Sequence, residues 1–194
     1  MQDGDLDAKG DWVSPEIAIQ RAEKMNQVMQ REANMRVKPE DTVVCVGDFA
    51  CRGGEKGVMG LRKRPAEILS ELNGKWVIVR GNHDENNGVK ADCEFMTVEI
   101  GRYRIGVQHR PLMDIDNPRA YDRMPVWLQK KSKAHAEYCR EMFDFMICGH
   151  VHNAWSVLKI SGLWHINVGV DVRRFMPIKD MEVIGIYERL RNQK

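Results

Sequence analysis

Apolar positions along this chain follow a helical rhythm in some stretches and form short unbroken runs in others. After Ser14-Pro15-Glu16, the residues Ala18, Ala22, Met25 and Met29 keep helical spacing, and a proline suits the first helical position, so the pattern predicts a helix over 15–33. Thr42–Val46 is a compact, β-branched apolar run closed by Gly47-Asp48, which reads as a buried strand. Pro65 opens a second helix, with Ile68, Leu69 and Leu72 as its apolar stripe and Asn73-Gly74 as its stop. Trp76–Val79 is another buried strand and runs into Arg80-Gly81-Asn82-His83-Asp84.

The second half reads differently. Phe95–Ile100 and Tyr103–Gln108 flank Gly101-Arg102 and predict a hairpin. A helix is expected near 130–142, followed by a strand, Phe145–Cys148, that ends in Gly149-His150-Val151-His152. Trp155–Ile160, Trp164–Val168 and Met181–Tyr187 read as three further strands, with Ser161-Gly162 as a tight turn. Helices alternate with strands early and strands cluster late, which predicts an α/β class with two mixed sheets packed together. No repeat, low-complexity tract or linker divides the sequence, so a single domain is expected over 1–194, with 1–12 loose or irregular.

Composition narrows the functional classes. Lys and Arg number 30 against 28 Asp and Glu, so bulk charge does not indicate a nucleic-acid partner. The basic clusters Arg62-Lys63-Arg64 and Lys130-Lys131-Ser132-Lys133 read as solvated surface. No apolar run reaches the roughly 18 residues of a membrane span, and the acidic start MQDGDLDAKGDW is unlike a signal peptide. The five cysteines form no CxxC pair, which predicts reduced thiols in the cytoplasm, and Cys45 and Cys148 sit inside apolar runs as core residues. The 12 methionines are scattered and read as fillers of core gaps; His135, in a Lys-rich helix, reads as solvated and His165 as structural.

The chemistry gathers at strand ends: Asp48, then Asn82-His83-Asp84, then His109, then His150 and His152. Ligands in open α/β sheets bind beyond the carboxyl ends of the strands, where residues distant in sequence converge. Nitrogen and oxygen donors at one point suit a borderline divalent metal such as Mn, Fe, Zn or Co. A glycine (Gly47, Gly81, Gly149) precedes three of these ligand groups, as a chain leaving a strand sharply would require. Gly53-Gly54 fits neither a phosphate loop nor a dinucleotide fingerprint, which sets aside a nucleotide-binding module.

Taken in order, Gly47-Asp48, Gly81-Asn82-His83-Asp84, His109 before Arg110-Pro111, and Gly149-His150-Val151-His152 resemble the motifs of the calcineurin-like metallophosphoesterases. Asn167-Val168-Gly169-Val170-Asp171 is similar to the tail of small bacterial and phage members, and the resemblance runs over about residues 14–180. It implies a four-layer α-β-β-α sandwich and a metal-dependent phosphoric ester hydrolase. Such an enzyme would act on a small phosphomonoester or phosphodiester through metal-activated water, with two divalent ions where the site is complete. By position, Asp48 would bridge two metals, Asn82, His109 and His150 would complete one site, and His152 would ligate the other. His83 would act as general acid, with Asp84 orienting its ring, and Arg52 or Arg110 would hold a phosphate oxygen.

One family motif has no match here. The opening Asp-x-His strand, which supplies two ligands beside His152, has no counterpart; Asp5-Leu6-Asp7 stands nearest, 43 residues before Asp48. Three readings follow: a truncated product, carboxylates from Asp5 and Asp7 in place of Asp and His, or loss of that metal site. The alternative function is a degenerate member that binds a partner or a single metal without turnover.

Overall fold

The computed structural model describes residues 15–50, 63–113, 115 and 125–192. The first half builds α1 (Pro15–Arg36), β1 (Thr42–Cys45), α2 (Pro65–Ser70) and β2 (Lys75–Ile78). β1 and β2 pair in parallel from Thr42 opposite Lys75 to Cys45 opposite Ile78. α1 runs three residues beyond its predicted end, and α2 stops short of Asn73-Gly74. Both differences have one cause: Asn73 caps the end of α1. Its Nδ2 donates to the carbonyls of Asn34 and Val37, both at 3.1 Å, and its amide donates to Asn34 Oδ1 at 2.7 Å. The last carbonyls of a helix need such partners.

The second half forms β3 (Phe95–Ile100), β4 (Tyr103–Gln108), α3 (Val126–Met142), β5 (Phe145–Cys148), β6 (Val157–Ile160), β7 (Leu163–Asn167) and α4 (Asp180–Asn192). These five strands make one sheet, in the order β3-β4-β5-β7-β6. β4, β5 and β7 are mutually parallel, whereas β3 and β6 pair antiparallel at the edges. Among the described residues only this sheet is mixed; the β1–β2 pair is parallel.

Alternation along the strands sets the layers. Val44, Val46 and Val79 from the small sheet pack with Ile105, Val107, Phe145 and Ile166 from the large one. The opposite face of the large sheet, at Met146, packs with Ala136 and Cys139 of α3. The opposite face of the small sheet, at Cys45 and Ile78, packs with Leu69 of α2. The order is helix, sheet, sheet, helix, as expected. Not all methionines fill the core: Met146 is buried, but Met25, Met35, Met113 and Met181 are exposed.

The strand expected at Met181–Tyr187 is instead part of α4. Val183, Ile184 and Ile186 favour strands, but the buried residues Val183, Ile184 and Tyr187 fall on one helical face. Tyr187 stacks on Phe145 with ring centroids 4.5 Å apart. The Glu182 carboxylate accepts the Lys179 amide at 2.9 Å, which stabilises the first turn. No helix among the described residues is long and apolar enough to cross a membrane.

Candidate metal centre

The small sheet delivers oxygen donors through two sharp turns. After β1 the chain passes Gly47 at φ +85° and Asp48 at φ +53°. Gly47 is required twice over, by its left-handed backbone and because a Cβ there would lie 2.5 Å from His109 Nδ1. Gly81 has another reason: a Cβ on it would stand 2.1 Å from the Asp48 amide nitrogen, so the two turns touch backbone to backbone. Asp84 fastens them together. Its fully buried carboxylate accepts the amides of Gly81 (2.6 Å), Asp48 (3.0 Å) and Phe49 (2.9 Å). This corrects the expectation that Asp84 orients the His83 ring. Its oxygens face the backbone of the site, and the sequence neighbour of His83 is a structural tie.

The large sheet delivers ring nitrogens. His109 follows β4, is buried, and sets Nδ1 2.8 Å from the Val46 carbonyl, so one hydrogen bond joins the two sheets. That bond requires the proton on Nδ1 and leaves a lone pair on Nε2 in the neutral ring. Nε2 lies 3.1 Å from Asp48 Oδ2 and 3.1 Å from Asn82 Oδ1, which are both acceptors. His150, after β5, sets its ring edge-on to His109 at 5.1 Å. Burial, followed by the charges of Arg110 and His109, lowers the His150 pKa and favours a neutral, lone-pair-bearing ring. Ligand atoms of Asp48, His109 and His150 all lie within 4.8 Å of one another. Oxygen and imidazole donors converging on one point are the donor set that a borderline divalent cation takes. The residues present therefore fit the metal that the motifs imply.

The remaining predicted residues are placed differently. His152 stands outside that group; its Nδ1 lies 2.9 Å from Asp171 Oδ2, a partner that the sequence reading left without a role. His83 is exposed, with its amide donating to Asp48 Oδ1 at 2.8 Å. Arg110 is exposed beside the cluster. Asp5, Asp7 and Arg52 lie outside the described residues. Asp48, His150 and His152 all have positive φ, at +53°, +67° and +46°. Such strain in residues other than glycine collects at functional sites. At Gly149 it is the following histidine, His150, that takes the left-handed conformation.

A groove of about 340 Å³ opens beside the cluster, lined among others by Arg80, Asn82, His109, Arg110, Ser132 and His135. His135 is not simply solvated, as its Lys-rich helix suggested. It packs edge-on against Phe95 and pairs Nε2 with Gln108 Oε1 at 2.8 Å. Its pKa is lowered, first by burial and then by Lys131. A signal was available: Leu128, Ser132, His135, Cys139 and Met142 form a stripe at helical spacing. His165 is structural, as expected. It is buried, accepts the Leu112 amide on Nε2 at 3.3 Å, and is held near pKa 4, mainly by burial. Burial also pushes the thiols of Cys45 and Cys148 up to about 12, which rules them out as nucleophiles at neutral pH.

Comparison with known proteins agrees with this geometry. An Aquifex aeolicus protein of unknown function has a solved structure similar to this one, with a TM-score of 0.58 at 26% identity over 84% of each chain. An uncharacterized protein of Methanocaldococcus jannaschii is 30% identical over 89 residues, which is 46% of this chain and 44% of that protein, so the match spans less than half of the relative. The model of the calcineurin-like phosphoesterase superfamily domain matches residues 10–180, and the chain belongs to that superfamily.

Proposed function

We propose that the chain hydrolyses a small phosphomonoester or phosphodiester with divalent cations, manganese among them, held by Asp48, Asn82, His109 and His150. One observation carries this reading: His109 Nε2, turned away from the Val46 hydrogen bond of Nδ1, faces the oxygens of Asp48 and Asn82 at 3.1 Å, and His150 offers a further ligand atom to the same point. A bound divalent cation supplies charge neutralisation and a nucleophile at neutral pH. Asp48 would serve both cations, Asn82, His109 and His150 would complete one site, and His152 would serve the other. His83, exposed beside Asp48, protonates the leaving oxygen. Arg110 holds a non-bridging phosphate oxygen, in a role Arg52 would share, and the groove towards Ser132 and His135 takes the leaving group. Cys45, Cys93, Cys139 and Cys148 are free thiols, which supports work in a reducing, cytoplasmic setting.

The test is hydrolysis of a nitrophenyl diester, a nitrophenyl monoester and an alkyl ester across a Mn²⁺ titration. His109→Ala should abolish Mn²⁺-dependent turnover. His83→Ala should lower kcat by about 10²- to 10⁴-fold on the alkyl ester and far less on nitrophenyl esters, whose leaving groups need little protonation. A folded protein with no turnover at any Mn²⁺ concentration would instead be a degenerate member that binds without reacting.

A further inference from the structure

Asn167 ends β7 with a fully buried side chain. Its Nδ2 donates to two carbonyls, His152 at 2.7 Å and Trp155 at 2.8 Å, and its Oδ1 accepts the Gly169 amide at 2.8 Å. The Asn167 carbonyl is itself gripped by the Arg173 guanidinium, through Nε at 3.0 Å and Nη2 at 2.6 Å. Four residues beyond Asn167, Asp171 Oδ2 lies 2.9 Å from His152 Nδ1. One short segment therefore holds His152 at its carbonyl and at its ring. His152 needs holding, because its backbone sits at φ +46°.

The chemistry of the pair is directional. An ionised carboxylate only accepts hydrogen bonds, so the shared proton sits on Nδ1, and of the two neutral tautomers the pair selects the one whose lone pair is on Nε2. A carboxylate behind a histidine in this way fixes the ring and its tautomer for metal binding.

We infer that Asp171 is the positioning residue for His152, holding the ring with Nε2 free for the second cation, and that Asn167 fixes the backbone beneath it. This rests on the metallophosphoesterase reading. It also gives that side of the site a carboxylate–histidine pair independent of Asp5 and Asp7.

The test uses the full chain with Asp171→Ala, Asp171→Asn and His152→Ala, all checked for folding by circular dichroism. Two measurements are made. Nitrogen-15 NMR of the metal-free protein reads the His152 tautomer. Mn²⁺ binding by calorimetry and electron paramagnetic resonance reads each ion's affinity. The expected result is an Nδ1–H tautomer in the wild type that mixes with the other form in Asp171→Ala. The ion sensitive to His152→Ala should then bind about 10- to 100-fold more weakly in Asp171→Ala. Asp171→Asn, which keeps an acceptor, should fall between, and the ion insensitive to His152→Ala should be unaffected. An unchanged tautomer in Asp171→Ala overturns the inference whatever the metal does. A changed tautomer with unchanged Mn²⁺ affinities also overturns it. No Mn²⁺ binding by the wild type overturns the proposed function itself, and with it the metal-binding half of this inference.

Discussion

The parallel pair β1–β2 brings Asp48 and Asn82 to the site, whereas the five-stranded sheet brings the rings of His109 and His150. On the first side, the two strands found among the described residues, of four residues each, give little support of their own, since a two-stranded pair is marginal in water. The turns beyond them are fixed by Asp84, which gathers three amides, and by Gly47 and Gly81, which let the turns touch. On the second side, the ladder itself supports the ligands: the Gly149 amide donates to the His109 carbonyl at 3.0 Å, which carries the β4–β5 pairing into the site. A small sheet needs specific buried ties to hold ligands in place, and a large one holds them through its regular hydrogen bonding.

Removing the tie is the most severe way to test that contrast. Asp84→Ala leaves three amides without their acceptor, and should lower unfolding free energy by about 3–5 kcal/mol in urea titrations. A loss under about 1 kcal/mol would show that the small sheet stands without its tie.

The large sheet has a different weakness, its buried His165. The ring is kept neutral, with a folded pKa near 4 against an ordinary 6.5. The unfolded chain therefore gains a proton before the folded one does, so this contribution is complete above pH 6.5 and is lost as pH falls towards 4. The loss should be on the order of 3 kcal/mol. Urea midpoints at pH 7.5 and 4.5 would check it, and His165→Gln should flatten the slope. An equal slope in the variant would assign the acid sensitivity to other groups.

The smallest effect expected is steric. Gly81→Ala forces a methyl group against the Asp48 amide and should cost about 1–3 kcal/mol, with weaker Mn²⁺ binding as Asp48 moves. Gly185→Ala, in α4 with only the flexible Arg189 side chain nearby, should stabilise by about 0.5–1 kcal/mol. If both glycines behave alike in thermal unfolding, the contact of the two turns is not a constraint.

Much of this was legible in the sequence for physical reasons. Strands buried on both faces read as short apolar runs, and the Phe95–Ile100 and Tyr103–Gln108 hairpin has the predicted bounds because alternation and a two-residue turn specify it. The polar residues after each run could be recognised because strand ends converge in this class of fold. α4 was misread because local β-propensity outweighed a helical spacing that only tertiary packing makes decisive. Asp84 was misread because adjacency to His83 says nothing about which way a carboxylate turns. Asp171 could not be assigned because it lies 19 residues from His152, and only the fold closes that gap.

The parallel strands β4, β5 and β7 also act as a gauge for the site. Neighbouring strands lie about 4.8 Å apart, close to the roughly 3–4 Å between donor atoms around one divalent cation. Along a strand each residue advances about 3.4 Å and reverses its side. One residue inserted in β5 would turn His150 away from His109, and two would carry it about 7 Å past. The ladder thus fixes where chain length can vary: in the connections away from the site, not in the strands that feed it.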